Sequence, residues 1–167
     1  SKPNIIFCIP GNSFSDKFFA SWTDTITSLT HKYNIKYINK YSSQVNFARA
    51  LCLGANVLNG PNQIPFNGDI KYDALIWLDS DMVFTPKMID YLILMTLTKY
   101  KVFSGIYAMD GGTQLCCVQN WDTQLYTKTG SFKFISNVEA NELIKNNKHI
   151  QTCAYAGMGC MGIRYGV

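Results

Sequence analysis

The chain has 167 residues, 47% of them apolar and 16% charged, which is the composition of an ordinary soluble globular protein. By its length we expect a single domain with a sizeable core. The net charge of +4 comes from scattered basic residues that form no run, so it predicts no nucleic-acid surface. No apolar stretch approaches the ~20 residues that a membrane span needs, and we therefore expect none.

The six cysteines form neither a CxxC pair nor a Cys/His metal spacing. Several lie within apolar runs, where a free thiol behaves as a small hydrophobic side chain. We therefore expect reduced, buried cysteines in a cytoplasmic protein, and not a disulfide framework. The first residues run into a strand-like segment without the pattern of a signal peptide.

Apolar runs and helical periodicity alternate along the first two thirds of the chain. In chain order they predict a strand at 4–10, a helix capped by Ser13 or Ser15 that reaches Leu29, a strand at 35–38, a helix at 44–58, a strand at 72–78, a helix at 86–98 and a strand at 102–107. The helix that ends at Leu29 carries its apolar residues on one face: Phe14, Phe18, Trp22, Ile26 and Leu29.

The remaining third changes pattern and favours a small mixed or antiparallel extension. Its predicted elements are short strands at 115–119, 124–127 and 132–135, a helix at 138–146, and strands at 151–155 and 160–164. The whole chain is predicted to be an α/β protein with a mostly parallel central sheet flanked by helices.

Asp79 and Asp81 follow the strongest predicted strand of the chain with one residue, Ser80, between them. Ligands of open α/β sheets bind beyond the carboxyl ends of the strands. In an extended strand, residues two apart point the same way, so both carboxylates could face one Mg²⁺ or Mn²⁺. The alternative is an ordinary turn after a strand, for which Asp is also favoured. We favour the metal site.

Two other segments are expected to converge on the same place. Pro10, Gly11 and Asn12 close the first strand just before a helix, where free backbone N–H groups suit an anion or a base. Arg49 is one of only two arginines and lies beside the apolar stripe of its predicted helix. A phosphate contact and a solvated or salt-bridged position are equally good interpretations of Arg49.

A resemblance to a known family appears in the order of these motifs. A strand ending in Pro-Gly is followed by N-F-A-R (46–49), W-L-D-S-D-M-V-F (77–84), S-G-I-Y (104–107) and G-M-G-C-M-G-I-R (157–164). Over about residues 4–165 the chain resembles GT-A fold glycosyltransferases of the family-2 type, and closely those encoded by large DNA viruses of algae. The resemblance implies transfer of a sugar from a nucleotide-diphosphate donor, with a UDP-linked sugar expected, to a hydroxyl of a glycan or glycoprotein acceptor in the host cytoplasm.

The resemblance also implies roles for individual residues. Asp81, with Asp79, would bind the Mn²⁺ or Mg²⁺ cofactor and be catalytic. Pro10, Gly11, Asn12, Arg49 and Ser80 would bind the donor nucleotide, and the sugar and acceptor side would be formed by Gly105, Tyr107, Gly157 and Gly159. Inversion at the anomeric carbon is implied by the family alone.

One part of the family pattern has no counterpart here. The acidic pair that supplies the general base downstream of the glycine-rich segment would fall past Val167, so we expect the base to lie beyond residue 167. Three other functions stay open: a phosphatase of the haloacid-dehalogenase type, a nucleotidyltransferase, and a non-catalytic nucleotide-binding module.

Overall fold

The computed structural model describes residues 1–167 and divides them into two compact units. The first unit consists of Ser1–Phe103 together with Met158–Val167, and the second consists of Ser104–Gly157. The single domain that length predicts stays a prediction.

The first unit is an α/β structure with one five-stranded sheet. Its elements are β1 (Asn4–Pro10), α1 (Asp16–Leu29), β2 (Asn34–Lys40), α2 (Val45–Cys52), β3 (Ala74–Leu78), α3 (Pro86–Thr98), β4 (Val102–Ser104, whose last residue belongs to the second unit) and β7 (Cys160–Arg164). The strand order across the sheet is β2-β1-β3-β7-β4.

The central sheet is mixed, so the prediction of a mostly parallel sheet is wrong. β1 pairs in parallel with both β2 and β3, but β7 pairs with β3 antiparallel, with Leu78 opposite Cys160. β7 begins beside the carboxyl end of β3 and runs back along it, which reverses the strand direction. A periodicity of two in the sequence identifies such a strand without indicating its direction.

Adjacent residues of β1 show that helices cover both faces of the sheet. The ring of Phe7 packs edge-to-face against Trp22 of α1, with 5.1 Å between centroids. Cys8 points to the opposite face, since neighbouring strand residues alternate, and it lies close to Cys52 of α2. β3 is buried along its whole length, as a strand covered on both faces requires.

The first unit confirms several predicted boundaries and corrects others. β1 and α3 match their predictions residue for residue, and Ser15 and Thr85 cap α1 and α3 by accepting from backbone N–H groups. The predicted helix at 44–58 is wrong beyond Cys52, because Gly54 takes a left-handed φ of 77° that ends it. The strands predicted at 72–78 and 102–107 are shorter than expected.

The second unit contains a two-stranded antiparallel sheet and two helices. Its elements are β5 (Cys117–Val118), α4 (Thr123–Thr129), α5 (Asn137–Lys145) and β6 (Tyr155–Ala156). The strand predicted at 124–127 is wrong, because Asp122 caps a helix there and Gly130 ends it in the left-handed conformation. No strand forms at 132–135. The helix predicted at 138–146 is confirmed to within one residue at each end and begins with a capping box.

All six cysteines are free, and four of them are buried. Burial raises the pKa of Cys8 far above its ordinary value, and burial together with the neighbouring Cys153 raises the pKa of Cys117 to about 12. These two thiols are therefore poor nucleophiles at neutral pH. None of the helices combines the length and the apolar character that a membrane span requires.

Gly162→Ala should destabilise the first unit. A Cβ at this position would lie 2.1 Å from Oγ1 of Thr96 on α3 and 3.3 Å from Cδ1 of Ile76, so β7 and α3 would have to separate. We expect a loss of roughly 1–3 kcal/mol in the free energy of unfolding, measured by urea denaturation.

The matched controls are Thr96→Ala alone and the double variant. Removing the hydroxyl relieves the closest contact, so the double variant should lose less stability than the sum of the two single variants. Strict additivity would contradict the packing of β7 against α3.

Candidate functional site

The carboxyl ends of β1 and β3 meet at one edge of the sheet, because the two strands are parallel neighbours. A cavity of about 510 Å³ opens at this edge. It is lined by Pro10, Ser13, Phe14, Ser15, Val45, Asp79, Ser80 and Asp81. The residues after β1, the residues that lead into α1 and both aspartates therefore share one site.

The two aspartates reach this cavity through a turn and not through an extended strand. β3 ends at Leu78, and the N–H of Met82 donates to the carbonyl of Asp79 at 3.1 Å. The geometric argument that residues two apart in a strand point the same way thus fails for Asp81. Both residues nevertheless line the cavity, so the turn does not prevent the two carboxylates from sharing one site.

Asp79 has a cationic neighbour that sequence reasoning did not find. Nη2 of Arg49 on α2 lies 3.4 Å from Oδ1 of Asp79, and both side chains are partly exposed. Nε of Arg49 is buried and has no hydrogen-bond partner within the chain. Arg49 thus forms an ion pair with Asp79, its contact with a phosphate stays a prediction, and Asp81 is the aspartate without such a partner.

Two contacts fix the backbone that borders the cavity. Gly11 has a φ of 139°, and a Cβ there would lie 2.8 Å from Oγ of Ser80, so only glycine allows this approach. The side-chain amide of Asn39 donates to the carbonyls of Ile9 at 2.7 Å and of Gly11 at 2.8 Å. Nothing in the local sequence pattern identified Asn39, because its partners come from a neighbouring strand.

Some backbone donors in the segment before α1 are already used. The N–H of Gly11 donates to the carbonyl of Lys40, and that of Ser15 donates to the carbonyl of Ser80. Asn12 and Ser13 are exposed and lie between these two anchored residues. Of the free N–H groups that the sequence predicts in this segment, the one on Gly11 is already used. The N–H groups of Asn12 and Ser13 remain available to a ligand.

The glycines predicted for the sugar side divide between the two units. Gly159 belongs to the first unit, and its carbonyl accepts from the N–H of Asp79 at 3.0 Å. Gly105, Tyr107 and Gly157 belong to the second unit. There the hydroxyl of Tyr107 occupies the space that a Gly157 Cβ would need, at 2.0 Å from it.

The donor chemistry of the cavity fits a hard divalent cation that shares its coordination with a ligand. Asp79 and Asp81 supply carboxylate oxygens, which Mg²⁺ and Mn²⁺ prefer. No cluster of three or more His, Cys, Asp or Glu side chains suited to a metal occurs in the chain. Two carboxylates with water and phosphate oxygens are a usual Mg²⁺ environment, whereas a cage made by the protein alone would need more ligands.

Comparisons with known proteins find similarity to solved structures and to no protein family. No protein-family model matches the chain, and no curated protein matches it. Among solved structures the chain is similar to the crystal structure of A197 from STIV, with a TM-score of 0.49 and 15% identity. The alignment covers 97% of this chain but only 65% of A197. The first unit and its cavity thus define an α/β protein with a mixed sheet and a two-carboxylate site.

Asn39→Ala should lower stability more than Asn34→Ala, although both residues lie on β2. Asn39 makes two short bonds to the end of β1, whereas the Asn34 amide makes two exposed bonds of 3.2 Å. We expect Asn39→Ala to cost about 1 kcal/mol and Asn34→Ala to cost less than half of that, by thermal or urea unfolding. Equal losses would show that Asn39 does not hold the edge of the site.

Proposed function

We propose that the chain binds a nucleotide-diphosphate sugar, with a UDP-linked sugar as the first candidate, and takes part in metal-dependent glycosyl transfer. The observation that supports this most is the joint lining of one strand-end cavity by Asp79, Asp81 and the segment that leads into α1. Cavities at this edge of an α/β sheet are where such folds place nucleotides.

The charges at the cavity favour a cation as part of the ligand. Two carboxylates line it, no lysine or arginine does, and Arg49 offsets only Asp79. A diphosphate alone would be repelled by this surface, whereas a divalent cation held by Asp81 and Asp79 would make the cavity attractive to it. When bound, the cation would neutralise the charge that develops on the departing diphosphate.

The chain's own residues would position the donor. Gly11 and Asn12 would lie along the nucleotide, because Gly11 carries no side chain and its backbone lies against Ser80, which lines the cavity. Arg49 would turn part of its guanidinium from Asp79 to a phosphate, which fits a group whose hydrogen bonding is incomplete in the free protein. Gly105, Tyr107 and Gly157 stay candidates for the sugar and acceptor side.

Three acidic residues outside the cavity already have structural partners, and we do not assign the general base to any of them. Asp90 accepts from Lys32 and Tyr33, and Lys32 and Tyr33 together lower its pKa against the opposing effect of burial. Asp122 caps α4, and Glu139 belongs to the capping box of α5. Each of these carboxylates stabilises a local structure, so we assign none of them to deprotonation of an acceptor hydroxyl.

The alternatives differ in what the same cavity would have to supply. A nucleotidyltransferase needs basic groups after its first strand, and the segment 10–17 contains only Lys17, which lies on α1 and does not line the cavity. A haloacid-dehalogenase-type phosphatase needs the first aspartate as a free nucleophile, whereas Asp79 is held by Arg49. A non-catalytic nucleotide-binding module would use the cavity as described, and an assay of sugar transfer would separate it from a transferase.

Asp81→Ala should abolish metal-dependent nucleotide binding while the protein stays folded. Asp81 is exposed and lies in a turn, so it contributes little to core packing. Calorimetric titration of UDP should show binding to the unmodified protein with Mn²⁺ and none with EDTA, and no binding to Asp81→Ala with either.

The control is Asp24→Ala, which removes an exposed carboxylate from α1 and should leave binding unchanged. Unchanged UDP affinity in Asp81→Ala would overturn the metal assignment. Hydrolysis of a chromogenic phosphate ester by a protein that does not bind UDP would favour the phosphatase.

Arg49→Ala should weaken binding of UDP with Mn²⁺ by ~1.5–3 kcal/mol if the guanidinium makes a charge-assisted bond to the ligand. Its partly exposed ion pair with Asp79 contributes no more than about 1 kcal/mol to folding, so the variant should remain folded. Arg49→Lys should recover only part of the affinity, because Lys lacks the planar fork. An unchanged affinity in Arg49→Ala would show that Arg49 makes its ion pair with Asp79 and no contact with the ligand.

A further inference from the structure

The second unit contains a cavity of its own that none of the motifs explains. Its volume is about 380 Å³, within the range of roughly 300–1,000 Å³ that small-molecule sites occupy. Its lining combines an exposed tryptophan with amide, carboxylate and ammonium side chains. The lining side chains of these kinds include Asn120, Trp121, Asp122, Gln124, Lys133 and Glu139.

Trp121 is 55% exposed yet held in place by other aromatic rings. Its ring packs edge-to-face on Phe132 at 4.7 Å between centroids and lies 6.4 Å from Tyr155. Phe132 is stacked in turn on Tyr126 at 4.6 Å. A large apolar ring kept at the surface in one orientation is a preformed stacking platform, because little conformational entropy is left to lose on binding.

The polar side chains around Trp121 offer hydrogen-bond donors and acceptors close to one another. The side-chain amides of Asn120 and Gln124 make no hydrogen bond within the chain. One carboxylate oxygen of Asp122 accepts from the N–H of Leu125, which leaves the other for a ligand. Amides that both donate and accept, beside a carboxylate oxygen, are suited to hydroxyl groups, which also do both.

The charged groups of the cavity argue against an anionic ligand. Lys133 lies 3.5 Å from Glu139, so the cation is already paired. Hydrogen bonds from Ser136 hold the pKa of Glu139 below its usual value, and it is therefore charged at neutral pH. With Asp122 also charged, the three groups sum to one negative charge, which disfavours a phosphate, a nucleotide or an acidic peptide.

We infer that this cavity binds a pyranose residue of a neutral glycan, with one sugar face stacked on Trp121 and its hydroxyls bonded to Asn120, Gln124 and Asp122. A pyranose ring has an apolar face of C–H groups and a rim of hydroxyls, which matches an aromatic platform surrounded by amides. This inference does not rest on the proposed function, because the cavity lies wholly within the second unit.

The test is a titration of the whole chain with neutral methyl glycosides of glucose, galactose, mannose, xylose, fucose and rhamnose, in EDTA and without nucleotide. The readouts are saturation-transfer NMR of the sugar and the indole N–H signals of the protein. The three tryptophans give three signals, and Trp121→Phe identifies the one that belongs to Trp121. We expect at least one glycoside to shift that signal and to receive saturation on its ring C–H protons.

Variants then test the geometry. Asn120→Ala and Gln124→Ala change exposed side chains and leave the aromatic cluster in place, so each should fold and weaken binding about fivefold, as loss of one hydrogen bond does. Trp121→Ala should abolish binding, and Trp121→Phe should keep part of it. Phe19→Ala is the matched control, because Phe19 is 68% exposed and does not line the cavity.

The inference fails if no glycoside shifts the Trp121 signal, or if binding is the same in Asn120→Ala, Gln124→Ala and the unmodified protein. Binding of neutral peptides in place of sugars would overturn it equally. Asp81→Ala separates this result from the proposed function, since that variant should lose UDP binding and keep sugar binding. A chain that binds UDP but no glycoside would refute only the second site.

Discussion

The candidate site depends on the pairing between the end of β3 and the start of β7. Leu78 lies opposite Cys160, and the N–H of Asp79 donates to the carbonyl of Gly159 at 3.0 Å. This pairing satisfies the backbone of β3 up to Asp79 and leaves the next residues free to turn. Asp79 and Asp81 reach the cavity because the strand stops there.

The charges that follow from this turn are asymmetric, and the asymmetry supports the proposed chemistry. Asp79 is offset by Arg49 from α2, whereas Asp81 has no such partner. One carboxylate is therefore held in place in the free protein while the other is available to a cation. The phosphate contact proposed for Arg49 would therefore use the same guanidinium that holds Asp79.

Elements with strong local signals were predicted well, and the errors have local causes. β1 and α3 carry a long apolar run or a Thr-Pro start and match to the residue. The sequence predicts a strand where α4 forms, because the segment has few apolar positions, although Asp122 and Gly130 supply both capping signals. Arg49 was placed near the site, but its ion pair with Asp79 was missed, since the two residues belong to different elements.

The sequence by itself determined the order of strands and helices in the first unit, and it singled out Asp79 and Asp81 at the end of the most apolar strand. Hydrophobic periodicity and capping residues act within a few positions of each other, so they can be read locally. The tertiary structure decided the direction of β7, the ion pair between Arg49 and Asp79, and the hydrogen bonds from Asn39 to the carbonyls of Ile9 and Gly11. Each of these joins residues more than 25 positions apart or depends on which strand lies next to which, and no local pattern contains that information.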